Sequence, residues 1–337
     1  MKPTDNLARD TEAVADSLAT MIKRELTTYC IGYLYLDPSD TTIITADDRK
    51  KLVDWCYAVV DHYHYSRETV ASAMEMVDRF LSMPSNSAYA APVSDEALRD
   101  QTKFQLLTIA ALYSSIKVNE KIAISSYVYA EIICSRAYTA EEIEDMERTL
   151  LSGLSWRCHA PTAHQVGLSI LSLLLPYVDI PEVTWGFLID EMKYLTELAV
   201  RDYYFSTQRK STIALAAIFN VISDMSTKER QELFGAFLRV IMDCFDFDDS
   251  MRIAAARARF SLLTKPETVL QEDDVGERSL YEQSLDDSVK TFKVSNSSSH
   301  KRKRDLEGGH EHEVTPSSSL RDLSCEEQDF KSFLSFC

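Results

Sequence analysis

The sequence predicts an all-α protein: an N-terminal helix, two tandem five-helix bundles and a polar tail. Three observations predict it. Glycine is scarce, eight in 337 residues, and three of the eight lie after residue 265. Apolar residues recur with a 3.6-residue period through long segments. Two segments, Thr108-Ile109-Ala110-Ala111-Leu112-Tyr113-Ser114-Ser115-Ile116 and Thr212-Ile213-Ala214-Leu215-Ala216-Ala217-Ile218-Phe219, are apolar or small on nearly every face. A helix without a polar face must be surrounded by others, and small residues let those neighbours come close. One central helix ringed by four others, occurring twice, is a specific architecture.

The first helix spans about 7–35, with Val14, Leu18, Met21, Ile22 and Leu26 on its apolar side. A loop over 37–44 follows. Thr45 and Asp48 have the spacing of a capping box and open a helix that runs to about residue 63. Further helices are expected over 67–81, 101–117, 125–134 and 140–154, with 83–93, rich in Pro, Ser and Ala, as a loop. Pro161 interrupts the chain after Trp156 and marks a boundary. A second set is expected over 162–175, 181–201, 210–223, 227–243 and 249–263. After Pro266 the chain turns to Ser, His and acidic residues, nine basic against sixteen acidic, and periodicity fades. Low hydrophobicity with high charge predicts disorder there. The expected organisation is therefore 1–44 (helix and linker), 45–159 and 160–265 (two bundles) and 266–337 (tail).

A formal charge of −17, from 36 basic and 53 acidic residues, argues against direct nucleic-acid binding over a broad surface. The seven cysteines are odd in number and scattered, without C-x-x-C, which fits reduced thiols better than disulfides or a zinc site. The charged N-terminus and the lack of a long apolar run predict neither a signal peptide nor a membrane span. No G-x-G-x-x-G, P-loop, G-x-S-x-G or H-E-x-x-H is present, so no catalytic residue is nominated and no cofactor is expected. Asp246-x-Asp248-Asp249 reads as a helix cap. His62-x-His64 falls at a spacing that does not share a helix face, and His310-x-His312 reads as a solvated polar stretch. No metal site is expected.

Several fragments, in order and at matching spacing, resemble the cyclin family over about residues 7–265. They are Leu52-Val53-Asp54-Trp55; Asp78-Arg79-Phe80-Leu81-Ser82; Gln105-Leu106-Leu107 leading to Ile116-Lys117-x-x-Glu120; and Met146-Glu147-x-x-Leu150-Leu151 with Leu154-Ser155-Trp156 and Pro161-Thr162. The resemblance implies two tandem cyclin boxes. It implies a regulatory subunit, not an enzyme, that binds and activates a cyclin-dependent protein kinase in cell-cycle progression. It assigns Arg49 and Asp78 to a structural ion pair between two helices, and Lys117, Glu147, Glu120, Leu151 and Trp156 to the kinase interface. Plainer readings stand beside these: Lys117 as a cation at a helix C-terminus, Trp156 as a core residue. Two departures are visible. Asn119 replaces the first of the family's two Glu after the Lys. The substrate-docking patch retains Leu52, Trp55 and Gln105, but Asp48 and Lys51 stand where apolar residues are usual, so weak docking is expected. Cyclin folds also serve as transcription adaptors that bind peptides or nucleic acid without a kinase; the acidic body and the Lys117/Glu147 match argue against that alternative.

The tail carries three short motifs. Lys301-Arg302-Lys303-Arg304 is a basic cluster of the nuclear-import type, so the chain is expected in nucleus and cytoplasm. Thr315-Pro316 is a candidate site for a proline-directed kinase. Leu323-Ser324-Cys325-Glu326-Glu327 fits Leu-x-Cys-x-Glu, the motif by which D-type cyclins resemble viral oncoproteins in binding retinoblastoma-type pocket proteins. In an extended segment Leu323, Cys325 and Glu327 share one side.

Overall fold

The computed structural model describes residues 3–29, 31, 34–36, 42–82, 90–122, 124–240 and 250–264, and these are helical with no strand among them. Helix α1 is Pro3–Thr27, α2 Ala46–His62, α3 Glu68–Ser82, α4 Ala90–Ala97, α5 Gln101–Asn119, α6 Ser126–Val128 and α7 Ala140–Gly153; α8 is Ala163–Leu174, α9 Glu182–Arg201, α10 Lys210–Asp224, α11 Thr227–Val240 and α12 Ser250–Leu263. The expected cap of α2 is present: Asp48 N donates to Thr45 Oγ1 at 3.2 Å, and Thr45 N to Asp48 Oδ2 at 2.9 Å. Thr139 with Glu142 and Thr162 with Gln165 repeat the device at α7 and α8.

The two apolar segments are the two central helices. α5 is buried without interruption from Leu106 to Ile116 and packs against α2, α3, α4 and α7. α10 is buried from Ser211 to Ile218 and packs against α8, α9, α11 and α12. Their hydroxyls are satisfied inside the core: Thr108 donates to the carbonyl of Phe104, and Ser115 to that of Thr69. Burial without a partner would cost each about 1–3 kcal/mol.

Three local differences from the sequence expectation have physical causes. α4 occupies part of the expected 83–93 loop. Its Pro92 stands in the first turn, where a missing N–H costs nothing, and Ala97 is fully buried. The helix expected over 125–134 is one α turn followed by a π turn, Tyr129–Ile133. Tyr129 is pinned deep in the core, its hydroxyl on the Ile109 carbonyl at 3.1 Å, and Cys134 N reaches back to Tyr129 O. α1 stops at Thr27, where Tyr29 N turns back to Arg24 O, five residues earlier, beside the regular helical bond from Thr28 N to the same carbonyl. The freed Tyr29 ring then lies 4.8 Å from the Arg79 guanidinium. Of the tail, 265–337, everything expected above lies outside the described residues, as does Asp246-x-Asp248-Asp249.

The two helix sets meet over a polar, well-bonded junction within one compact unit. Arg49 on α2 grips Asp78 on α3 with two bonds, Nε–Oδ1 at 2.8 Å and Nη2–Oδ2 at 2.7 Å. Its third arm donates to the Val200 carbonyl of α9 at 2.7 Å. Tyr35 donates its hydroxyl to Asp78 Oδ1 at 2.7 Å. The Arg49 and Asp78 side chains are 2 % and 3 % exposed. Burial alone would lower the guanidinium pKa; Asp78 more than offsets it and holds Arg49 above its ordinary value. The expected ion pair is therefore present, and it ties three helices instead of two. Nearby, the Tyr57 ring lies between the guanidinium groups of Arg67 and Arg201, at 4.7 and 5.4 Å. Arg67 pairs with Glu197 across the junction, and Arg201 with Asp54 at 2.6 Å. α1 fastens the other side: it packs on α8, Leu18 enters the second core, and Glu25 accepts from both N and Oγ of Ser211 at the start of α10.

Candidate functional site

Lys117 and Glu147 meet where the last turn of α5 passes α7. Lys117 Nζ is 2.6 Å from Glu147 Oε2, and Ser114 donates to Glu147 Oε1 at 2.5 Å. Ser114 stands three residues before Lys117, so both project from one face of α5. The ammonium also sits 4.2 Å above the Tyr113 ring, a cation–π contact. Glu147 is nearly buried while Lys117 is about a third exposed. An ammonium has three donors and a carboxylate about four acceptor sites. One donor and two acceptor sites are used here, so the pair is oriented from within and keeps capacity for a partner outside. Ser114 and Tyr113 were not singled out from the sequence, although their positions three and four residues before Lys117 carry the signal.

Exposed apolar residues follow this pair at the end of α5 and along the segment between α5 and α7. Val118 follows Lys117 and is exposed, as is Ile122; Tyr127, Val128 and Ile132 are exposed on α6 and the π turn. Ser126 bonds Glu144 of α7 at 2.5 Å, which holds that segment against α7. Trp156 is 66 % exposed, so it is not a core residue. Its placement comes from the backbone: Ser155 and Trp156 both adopt positive φ, 52° and 60°, a conformation that L-residues other than Asn and Asp seldom enter. Trp156 N to Leu151 O at 2.7 Å and Arg157 N to Leu154 O at 3.1 Å secure the turn. Arg79 adds a bond to the Arg157 carbonyl. Leu151 is half-buried beneath it. Glu120 is engaged otherwise: as the residue ending α5 it accepts from Ser66 N at 2.9 Å and from Thr69 Oγ1, which fixes the start of α3.

A family model described as the cyclin N-terminal domain matches residues 16–159. Over these residues the chain is similar to the cyclin N-terminal domain. It is 30 % identical to a G2/mitotic-specific cyclin-B of Arbacia punctulata over 55 % of this chain and 40 % of that one. It is 26 % identical to cyclin-A2-1 of Oryza sativa subsp. japonica, over 52 % of this chain and 32 % of that one. With cyclin-D1-1 of Arabidopsis thaliana it shares 25 % over 62 % and 58 %. The chain thus spans about a third to three fifths of the length of these relatives. A viral cyclin of herpesvirus saimiri has the same fold at 14 % identity, with a TM-score of 0.53, covering 72 % of this chain and 96 % of that one.

The residues at the docking-patch positions do not form an open groove. Trp55 is 1 % exposed, and its indole N–H has no hydrogen-bond partner among the described residues. Leu52 is buried. Gln105 accepts from the Tyr138 hydroxyl at 2.8 Å. Asp48 is consumed by the cap of α2, and Lys51 lies 2.8 Å from Asp47. Cys134 and Cys158 are free thiols; burial pushes that of Cys134 up to about 12, which leaves it unreactive at neutral pH. No cluster of metal-ligating side chains occurs among the described residues. The pocket-protein, import and phosphorylation motifs lie outside them.

Proposed function

We propose that this chain is a cyclin, the regulatory subunit of a cyclin-dependent protein kinase, bound through Lys117, Glu147 and the apolar surface beside them. The observation that carries the reading is the Lys117–Glu147 pair, oriented by Ser114 and Tyr113 yet with bonding capacity unspent. Exposed Trp156 supplies the large aromatic that typically anchors an interface. The cyclin performs no covalent step. A kinase needs a glutamate on its regulatory helix to pair with the lysine that positions the ATP phosphates. A surface complementary to the helix in that position selects the active arrangement from a pre-existing equilibrium. Glu120 and Leu151 stand at the edges of this surface, and the closed Trp55 region leaves little docking for substrates.

The tail extends the proposal. Leu323, Cys325 and Glu327 would bring the kinase to a retinoblastoma-type pocket protein and so to entry into DNA synthesis; Lys301–Arg304 would direct nuclear import, and Thr315 would be phosphorylated. The test of the core reading is Lys117→Ala with Glu147→Ala. Truncating a partly buried charge pair at an interface costs about 2–5 kcal/mol of binding, so the kinase should no longer co-purify while helicity is kept. Undiminished kinase activity in the double variant would refute it.

A further inference from the structure

Helix α9 carries a second surface that faces away from its own bundle. Val183 is 85 % exposed, and Phe187 and Tyr194 are about half exposed. Their spacing, i, i+4 and i+11, places them in one row along the helix. Gly186 lies beside this row, about 60° around the helix from Val183, and inside the helix. Glycine is the poorest helix former after proline, so its presence there calls for a reason. The other internal glycine of this helix pair has one: a Cβ at Gly167 would meet Met192 Sδ at 2.7 Å, so Gly167 allows α8 and α9 to pack closely. At Gly186 a Cβ would meet nothing within 4 Å among the described residues. The device that lets two helices approach inside the bundle is repeated on the outside, over open space.

The surroundings of this row are acidic. Asp190 is exposed within the row itself, between Phe187 and Tyr194; Glu182 is exposed on α9 as well, and Glu191 is beside them. Asp179 stands in the turn before the helix, its N–H on Glu232 of α11 at 2.8 Å. Glu229 of α11 accepts from Thr184 at 3.0 Å. Bonds from Ser226 and Thr184 hold Glu229 below the usual carboxylate range, so it stays charged. Lys193 and Lys228 are the nearby cations. An apolar face with carboxylates in and around it is complementary to an apolar stripe flanked by basic residues.

We propose that this face of α9 docks an amphipathic, basic α-helix of a partner protein. The apolar side of that helix packs over Gly186 beside Val183, Phe187 and Tyr194, and its Lys or Arg residues meet these carboxylates. Helix-in-groove recognition reads such anchors at i, i+3, i+4 and i+7. The surface is separate from Lys117 and Glu147, so it adds a partner to the kinase without competing for that site.

The test uses the full chain and three labelled synthetic helices in physiological salt: one with Leu on one face and Lys on the other, one of the same composition with the Leu residues scattered, and one with Glu for Lys. The first should bind at least tenfold more tightly than either control. Gly186→Gln, which fills the space without changing charge, and Phe187→Ala should each weaken binding at least tenfold, with helicity retained. Lys117→Ala should leave it unchanged. Equal binding of the scattered peptide, indifference to Gly186→Gln and Phe187→Ala, or no binding at all would overturn the proposal. A concentration-dependent dimer of the chain that Phe187→Ala abolishes would assign the face to a second copy and overturn it equally.

Discussion

Replacing Arg49 by Ala should be among the most destabilising single changes in the molecule. The guanidinium makes three bonds, two to Asp78 and one to the Val200 carbonyl. Its loss strands a carboxylate only 3 % exposed, with just the Tyr35 hydroxyl left to it. Breaking a buried pair by removing one partner costs about 3–5 kcal/mol. Against a typical total stability of about 5–15 kcal/mol, that is a large fraction. With a urea slope near the upper end of about 1–3 kcal/mol/M, the unfolding midpoint should fall by about 1–2 M. The double variant Arg49→Met with Asp78→Leu should recover much of the loss, because matched apolar groups leave no stranded charge. Arg49→Lys should fall in between, since a single ammonium cannot reproduce the fork. The assay is urea denaturation followed by circular dichroism. A cost below about 1 kcal/mol for Arg49→Ala, or a double variant as unstable as the sum of the singles, would refute the reasoning.

Three further outcomes follow from the same geometry. The two glycines should respond with opposite sign in urea denaturation: Gly186→Ala should stabilise by about 1 kcal/mol through helix propensity, whereas Gly167→Ala should destabilise by about 1–3 kcal/mol by overpacking against the fully buried Met192. Burial raises the pKa of Glu75 from 4.5, with Arg79 and Lys210 opposing; a carboxyl held above its ordinary value favours folding in its protonated form, so its contribution is lost as pH rises from about 4.5 through the folded value. Glu75→Gln should therefore gain on the original protein across that rise in a melting-temperature profile, and a parallel profile would count against it. Trp156→Ala should change stability by less than about 0.5 kcal/mol, as an exposed side chain, yet weaken kinase binding at least tenfold in a pull-down titration.

Much of this arrangement was legible in the sequence, for identifiable reasons. The central helices announced themselves because a segment apolar on every face has one structural solution. The Thr45 cap was legible because its chemistry is local. Arg49 and Asp78 came from the family resemblance, since nothing local relates residues 29 apart. What escaped was long-range or geometric. Glu120 as an anchor for α3, Glu25 seated on α10 and the burial of Trp55 depend on which helices pass each other. The outward turn of Trp156 depends on two residues with positive φ, Ser155 and Trp156, neither of which is Gly or Asn. The π turn at Tyr129 follows from where one ring is pinned, a constraint that no hydrophobic period records.

The bond between Glu25 and Ser211 spans 186 residues, and this bears on how the protein is made. α1 leaves the ribosome well before its seat on α8 and α10 is made. At about 5–20 residues per second, the helix waits on the order of 10–40 s with Leu18, Met21 and Ile22 uncovered. Through that interval the chain depends on whatever shields an amphipathic N-terminal segment in the cell. A variant that slows elongation between α1 and α10 should lower the soluble yield without altering the stability of the molecules that do fold.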